Sequence, residues 1–258
     1  MNKRVLVTGS TKGIGQGILK KFHEENWDVC VSGRDNLLVE KLKHGLNEVR
    51  ENSTIGLSAD LANSEDVERV FNYINDIWGH LDCIIFNIGS GAGTKGLDAT
   101  FESNLLLMNT NLINTMKQFR VFLPLIKNGE KPGAAIFIGS IAQNSNVDAP
   151  LAYAYSKRAV NVFARYQALE LAESRIRVNV INPGHTITEE GVWGKRKKES
   201  IEAFDEFISR SIPLGSIGKV EDIAEVVFNC ARPDFNNFLT GQILSVDGGT
   251  SLRKGSMW

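Results

Sequence analysis

The sequence contains few cysteines, and their placement narrows what it can encode. Its 258 residues include three cysteines, Cys30, Cys83 and Cys230, which lie far apart in apolar stretches. They form no CxxC motif and no Cys/His group with zinc spacing. The pattern excludes a disulfide framework and predicts buried, reduced thiols in a cytoplasmic protein. We expect no metal site.

The sequence also lacks an excess of charge and any long apolar run. Lysine and arginine number 29 against 30 acidic residues, so no general attraction to nucleic acid or anionic membranes is expected. No apolar run approaches the roughly 20 residues of a membrane helix. The basic start, Met1–Arg4, is followed by only a short apolar stretch, unlike a signal peptide. We therefore expect no nucleic-acid or membrane partner.

Short apolar runs alternate with longer amphipathic segments along most of the chain. The runs are continuously apolar, which is typical of strands covered on both faces of a parallel sheet. The predicted strands are Arg4–Thr8, Asp28–Ser32, Ile55–Ala59, Cys83–Asn87, Ala134–Gly139, Arg177–Asn182 and Ile243–Val246. The predicted helices include Gly15–Asn26, Ser64–Trp78 with Ser64 as N-cap, Ala99–Lys127 and Ala149–Glu173.

Repeated β-α-β units of this kind indicate an α/β fold. The expected architecture is a Rossmann-like, doubly wound parallel sheet of about seven strands with helices on both faces. No linker or internal repeat divides the chain, so residues 1–258 are predicted to form a single domain. One irregular, charged segment at 189–213 is predicted to be a substrate lid.

A glycine-rich turn joins the first predicted strand to the first predicted helix. It reads Thr8-Gly9-Ser10-Thr11-Lys12-Gly13-Ile14-Gly15, a G-x-x-x-G-x-G spacing. This differs from the general G-x-G-x-x-G fingerprint and from a P-loop. The glycines allow close approach of a pyrophosphate, and the helix N-terminus offers free N–H groups. The turn predicts a dinucleotide site.

Tyr153 and Lys157 form a candidate acid–base pair, because residues four apart on a helix share one face. A free tyrosine has a pKa of about 10, and a neighbouring ammonium is expected to lower the pKa of Tyr153. Ser140 ends the fifth predicted strand, where an open α/β sheet holds its ligands. Tyr155 is an alternative candidate for the acid because it is close to Tyr153 in the sequence, but no lysine follows it at three or four residues.

These features resemble the short-chain dehydrogenase/reductase family, and the resemblance covers nearly the whole chain. Further matching motifs follow the predicted strands; they are Asp60-Leu61, Phe86-Asn87-Ile88-Gly89 in place of the usual Asn-Asn-Ala-Gly, Pro183-Gly184 and Val246-Asp247-Gly248-Gly249. The resemblance implies an oxidoreductase that moves hydride between a nicotinamide cofactor and a carbonyl or alcohol.

The resemblance also assigns roles to four catalytic residues. Tyr153 would protonate the carbonyl oxygen during reduction, and Ser140 would hydrogen-bond that oxygen. Lys157 would also hold the nicotinamide ribose, while Asn111 would shape its helix and hold a water in the proton relay. The cofactor-binding residues implied are Gly9, Ser10, Thr11, Lys12, Gly13, Ile14, Gly15, Arg34, Asp60, Leu61, Asn87, Gly89, Tyr153, Lys157, Pro183, Gly184, Thr186 and Thr188.

The end of the second predicted strand favours NADP(H) over NAD(H). It reads Ser32-Gly33-Arg34, without the carboxylate that would accept hydrogen bonds from the ribose hydroxyls of NAD. Arg34 and Lys12 are suited to a 2′-phosphate. The same chemistry with NAD(H) is an alternative, and a cofactor-binding regulator without turnover is another. Such regulators typically lose the catalytic acid or its lysine, whereas this chain keeps both.

Several expectations concern the substrate and the assembly. The substrate is a small carbonyl or alcohol, with a 3-oxoacyl thioester and a sugar-type compound both open. The basic run Lys195–Lys198 is either a solvated face or an attraction for an anionic substrate. His185 is expected to line the pocket or pack, and Trp193 to stack on a substrate ring or anchor the lid. The resemblance implies a homotetramer or dimer that pairs through the two long helices.

Overall fold

The fold is seen in a computed structural model that describes residues 2–129, 133–144, 148–235 and 237–252. The strands are β1 (Arg4–Val7), β2 (Asp28–Gly33), β3 (Thr54–Ser58), β4 (Cys83–Phe86), β5 (Ala134–Ile138), β6 (Arg177–Pro183) and β7 (Ile243–Val246). The helices are α1 (Gly13–Glu24), α2 (Asn36–Val49), α3 (Ser64–Trp78), α4 (Phe101–Met108), α5 (Asn114–Lys127), α6 (Leu151–Glu170), α7 (Val192–Glu199), α8 (Ile201–Ser211) and α9 (Val220–Ala231).

The strands form one parallel sheet in the order β3-β2-β1-β4-β5-β6-β7. The chain winds outward from β1 to β3 and then crosses back to β4, so β1 and β4 are neighbours at the switch point. Ligands of such sheets bind at the carboxyl ends of the strands there. The predicted fold class is confirmed, and each predicted strand is within one residue of the observed bounds.

Each face of the sheet has its own apolar core. Against α3, α5 and α6 lies a group of phenylalanines in which Phe86 stacks on Phe137 with ring centroids 4.7 Å apart. Against α1 and α9 the Phe22 ring meets Trp27 and Phe228 edge to face, at 5.0 and 5.2 Å. The three cysteines are buried and free, as predicted, and burial raises the pKa of their thiols.

Two helical predictions need correction. The N-cap of α3 is Asn63, whose side chain accepts the Glu65 N–H at 2.8 Å, whereas Ser64 is the first helical residue. Both residues are good caps, and the backbone turns one residue earlier than the pattern suggested. The single long helix predicted at Ala99–Lys127 is interrupted by a π turn at Asn109–Ile113, between α4 and α5.

The charged segment at 189–213 is mostly helical rather than irregular. It contains α7 and α8, and the Ser200 hydroxyl caps α8 by accepting the Ala203 N–H at 3.2 Å. Its frequent charged residues lie on exposed faces of these two short helices, which hid the helical pattern. Across the described ranges, none of the helices has the length and apolarity needed to cross a bilayer.

Candidate active site

A cleft of about 1500 Å³ opens at the carboxyl ends of the strands. It brings together nearly all of the residues singled out from the sequence. Those that line it are Gly9, Thr11, Lys12, Gly13, Ile14, Gly15, Arg34, Asp60, Leu61, Asn87, Gly89, Ser140, Tyr153, Lys157, Pro183, Gly184, Thr186 and Thr188. Ser10 and Asn111 are fully buried and do not reach its surface.

The glycine turn is held by backbone geometry that side chains would disrupt. Gly9 and Gly13 have φ values of +64° and +58°, a region that favours glycine. A Cβ on Gly15 would lie 2.5 Å from both the Gly9 carbonyl oxygen and the Asn87 amide nitrogen. The Asn87 amide in turn donates to the Thr8 and Gly9 carbonyls at 3.0 and 3.2 Å. Because the N-cap residue of α1 makes no side-chain capping bond within the described structure, the first N–H groups of this helix are available to an anion.

Ser10 is placed differently from its predicted role. Its hydroxyl accepts the Ser32 N–H at 3.0 Å and lies within 3.4 Å of the Ser32 carbonyl oxygen. The side chain therefore ties the glycine turn to β2 from behind, because it is turned away from the cleft. The Ser10 side chain does not line the cleft, so a contact of this residue with a cofactor would have to come from its backbone.

The cleft at the end of β2 carries positive charge. Arg34 is exposed on its wall. Asp35, the next residue in the chain, is occupied as the N-cap of α2, where it accepts the N–H groups of Leu37 and Leu38 at 2.9 and 3.3 Å. Lys12 forms an exposed ion pair with Glu190 at 3.0 Å, so the glycine turn meets the 189–213 segment here.

The predicted catalytic serine and tyrosine meet in the cleft. The Ser140 side chain hydrogen-bonds the Tyr153 phenol, and burial raises the pKa of Tyr153 while this hydrogen bond opposes the rise. The expectation of a lowered pKa is therefore wrong for this arrangement, because loss of solvation outweighs the neighbouring groups. Tyr155, the competing tyrosine, is 60% exposed and does not line the cleft.

Lys157 lies beneath the tyrosine. It is 3% exposed, and its Nζ lies 5.9 Å from the centre of the Tyr153 ring. Its ammonium donates to the Ile138 carbonyl at 2.9 Å, which fixes it at the end of β5. Burial lowers the pKa of Lys157 to about 8. The lysine is therefore mainly protonated at neutral pH and close to its titration range.

Asn111 lies in the π turn behind the wall of the cleft. Its Nδ2 donates to the carbonyls of Ser90 and Leu107, both at 2.9 Å, and its Oδ1 accepts the Ser90 N–H at 2.9 Å. Gly89 separates it from Lys157, since a Cβ there would be 2.8 Å from the Asn111 Oδ1 and 2.9 Å from the Lys157 Nζ. Asn111 thus fixes the strand-to-loop segment that passes beside the lysine. π turns often occur at functional sites.

Asn182 is a site residue that the sequence reasoning missed. It is fully buried, and its Oδ1 accepts the Ser140 N–H at 3.0 Å, which fixes the backbone of Ser140. A Cβ on Gly139 would overlap the same oxygen, so the glycine makes room for the amide. The available signal was an amide side chain at the end of an apolar strand, directly before Pro183-Gly184.

The far end of the cleft is formed by the 189–213 segment and the facing loops. The ring centroid of His185 lies 4.7 Å from that of Trp193 and 5.0 Å from that of Phe207, so His185 packs as expected. Burial first, and the charge of Arg196 second, lower its pKa. Across the mouth, Lys95 pairs with Asp148 at 2.6 Å. These two residues are 53 positions apart, and no sequence pattern linked them.

Comparisons with known proteins agree with this geometry. A family model described as enoyl-(acyl carrier protein) reductase matches residues 9–251. Glucose 1-dehydrogenase of Gluconobacter oxydans is 31% identical over 251 residues, covering 97% of this chain and 92% of that protein. A tropinone reductase homologue of Arabidopsis thaliana is 29% identical over 253 residues, with coverage of 97% and 92%.

Solved structures show the same likeness. A short-chain dehydrogenase/reductase of unknown function from Caenorhabditis elegans, with cofactor, has a TM-score of 0.90 at 26% identity and covers 99% of this chain and 97% of that one. ElxO with NADP bound has a TM-score of 0.88 at 29% identity, with coverage of 98% and 100%. The fold, the cleft and these relatives define an oxidoreductase acting on CH–OH or C=O groups. The chain belongs to the short-chain dehydrogenase/reductase family.

Proposed function

We propose that this chain is an NADP(H)-dependent reductase or dehydrogenase that transfers hydride between the nicotinamide and a small carbonyl or alcohol substrate. The observation that carries the proposal is the convergence of Ser140, Tyr153 and Lys157 on one cleft whose other half is the open N-terminus of α1. The tight glycine turn, followed by the open N-terminus of α1, suits the close approach of a dinucleotide pyrophosphate. The bound cofactor supplies the hydride.

The protein residues hold the substrate and move the proton. Tyr153 gives its phenolic proton to the carbonyl oxygen during reduction and takes it back during oxidation. Ser140, already hydrogen-bonded to the phenol, donates to the same substrate oxygen. The Lys157 ammonium stabilises the phenolate left by proton transfer, because it is a buried cation beneath the tyrosine ring. Asn111 and Asn182 fix the backbone on either side.

A spectrophotometric assay tests the reaction. Loss of nicotinamide absorbance is followed with a carbonyl panel that includes 3-oxoacyl thioesters and keto sugars, which represent the two substrate classes left open by the sequence. Tyr153→Phe is expected to reduce turnover about 10²–10⁴-fold, the usual contribution of general acid catalysis. NADPH binding by this variant remains near wild type. The matched control is Tyr155→Phe, which changes an exposed phenol.

Retained turnover in Tyr153→Phe would remove this residue from the mechanism. A wild-type chain that binds NADPH but reduces no member of the panel would favour the non-catalytic regulator. Turnover lost equally in Tyr155→Phe would mean that the effect of Tyr153→Phe was structural.

The preference for NADP(H) is supported by the charges at the end of β2. Arg34 lines the cleft there, and the carboxylate next to it in the chain, Asp35, is occupied in capping α2. Arg34→Ala is expected to raise KM for NADPH about 10–100-fold, the range of one or two charge-assisted hydrogen bonds. KM for NADH changes little. Lys41→Ala, on an exposed position of α2, is the control. An equal rise for both cofactors would contradict the preference.

A homo-oligomer, a dimer or tetramer, is part of the same proposal. It is supported by large apolar side chains that α4 and α6 leave exposed, among them Phe101, Leu106, Tyr166 and Leu169. Patches of this kind mark association surfaces. Light scattering of the purified chain measures the assembly, and Leu169→Glu is expected to shift it toward monomer. The 189–213 segment acts as the substrate lid in this proposal, since its helices wall the far end of the cleft.

A further inference from the structure

The two helices of the 189–213 segment, α7 and α8, each place an aromatic residue and an arginine three positions apart at the cleft. In α7, Arg196 follows Trp193 by three residues, and in α8, Arg210 follows Phe207 by three residues. Residues three apart share a helix face. All four side chains line the cleft, so each helix presents an aromatic ring and then a guanidinium to the same space.

The rings form a compact wall. Trp193 and Phe207 stack with centroids 4.3 Å apart and an angle of 29° between their planes, and His185 meets both at the bottom. The Arg196 guanidinium lies over the Trp193 ring, 4.8 Å from its centre. The stacking fixes the direction of this guanidinium while leaving its N–H groups available for hydrogen bonding.

The charge of the cleft differs from that of the chain. The chain carries a net charge of −1. The charged residues that line the cleft are the cations Lys12, Arg34, Lys95, Lys157, Arg196 and Arg210 and the carboxylates Asp60 and Asp148. Lys95 is neutralised by Asp148, and Lys157 belongs to the catalytic group. Lys12 and Arg34 lie at the end assigned to the cofactor phosphates, which leaves two arginines at the substrate end.

Among the described residues, neither arginine pairs with a carboxylate that lines the cleft. Arg210 shares an exposed ion pair with Glu206, outside the lining, at 2.7 Å. In the part of the chain that the structure describes, Arg196 has no carboxylate within ion-pair distance. Of the basic run Lys195–Lys198, Arg196 is the member that lines the cleft, so the remaining three lysines fit the solvated-face interpretation.

We propose that Arg196 and Arg210 bind an oxyanion of the substrate, a carboxylate or a phosphate, while its carbonyl-bearing portion lies along the Trp193–Phe207 wall. The substrate is therefore an anionic carbonyl or alcohol compound. This rests on the proposed function for the identity of the reacting group. Binding of the anion does not depend on turnover, and the two can be tested separately.

The binding experiment uses benzoate, phenyl phosphate and the neutral isostere benzamide, titrated calorimetrically into the NADP⁺-loaded enzyme. Benzoate or phenyl phosphate is expected to bind at least about tenfold more tightly than benzamide. Arg196→Met and Arg210→Met are each expected to weaken anion binding about 10–100-fold, as for a lost charge-assisted hydrogen bond, and to leave benzamide unchanged. Lys195→Met is the matched control in the same helix, because it removes a cation that does not line the cleft.

The relative affinities of benzoate and phenyl phosphate identify the oxyanion, and a preference for either one supports the proposal. Equal binding of benzamide and both anions overturns it, as does a loss of anion binding in Lys195→Met as large as in Arg196→Met. Turnover of 4-formylbenzoate and its methyl ester is measured in parallel, with kcat/KM for the free acid expected to fall selectively in Arg196→Met. Anion binding that depends on Arg196 without reduction of any aldehyde would overturn the proposed function and leave this inference standing.

Discussion

The two ends of the cleft are built by different means. At the glycine turn the wall is largely backbone, held by buried hydrogen bonds from Asn87 and closed to any side chain at Gly15. At the far end the wall consists of aromatic and arginine side chains on α7 and α8, many of them exposed. Backbone sterics admit one arrangement, whereas side chains on a helix surface can be exchanged without changing the fold. The first end is therefore suited to a fixed cofactor and the second to a particular substrate.

The largest effect is expected from a substitution in the glycine turn, the end of the cleft that is built from backbone. Gly15→Ala places a Cβ 2.5 Å from the Gly9 carbonyl oxygen, so the turn must shift. We expect NADPH binding to be lost and the free energy of unfolding to fall by about 1–3 kcal/mol, the usual cost of overpacking. Calorimetric NADPH titration and urea unfolding measure the two effects.

Gly45→Ala is the matched control, because Gly45 is also a helical glycine but a Cβ added to it would meet no described atom within 4 Å. Alanine there is expected to raise stability by up to about 1 kcal/mol through helix propensity alone. Equal effects of the two substitutions would contradict the view that the turn is fixed by steric exclusion.

The second prediction concerns Lys157, the buried lysine that lies between the two ends of the cleft. The pKa of Lys157 is about 8 in the fold and 10.5 for the free side chain, so the unfolded chain binds more protons between these values. Below pH 8 the folded state carries the full penalty of a buried ammonium, which fades as pH rises toward 10.5. Lys157→Met is expected to abolish turnover yet raise stability by up to about 3 kcal/mol at pH 7.

Urea unfolding of Lys157→Met and wild type at several pH values checks this expectation. The stability difference narrows from pH 8 to 10.5 if the lysine is responsible. A difference that does not change with pH would show that packing, rather than the buried charge, controls it.

The smallest expected effect is the pH dependence of the wild-type enzyme. In the proposed mechanism, carbonyl reduction requires the protonated Tyr153 and the Lys157 ammonium. Since the lysine loses its proton near pH 8, kcat for reduction is expected to be level below that pH and to fall above it. The slope approaches about tenfold per pH unit if one proton controls the step. Rates measured from about pH 6 to 10 with a saturating carbonyl check this, and a level profile throughout would exclude Lys157 as the controlling group.

Much of the fold could be predicted because its signals are local. Continuous apolar runs predicted all seven strands to within one residue, since parallel strands covered on both faces are rich in apolar side chains. The glycine turn could also be predicted, because its glycine spacing reflects backbone constraints within the short stretch Thr8–Gly15. Within the site, the Tyr153–Lys157 pair followed from helical spacing.

The predictions that differ from the structure, and the site residues that were not predicted, have a common cause. The cap of α3 is Asn63 rather than Ser64, and the 189–213 segment is helical, because local propensity was similar for the alternatives. The raised pKa of Tyr153 and the inward-facing Ser10 depend on burial, which arises from contacts with distant parts of the chain. Asn182, Phe207 and Arg210 join the site from segments that carry no shared motif with it.

Local sequence patterns are enough to predict the parallel α/β architecture, the glycine turn and the candidate acid–base pair, because each depends on residues near one another in the chain. The folded structure controls which charges face the cleft, how burial shifts the pKa values of Tyr153 and Lys157, and how α7 and α8 bring Arg196 and Arg210 to the cleft. Solvation and charge pairing depend on every group that packs nearby. They are therefore fixed only when the chain has folded.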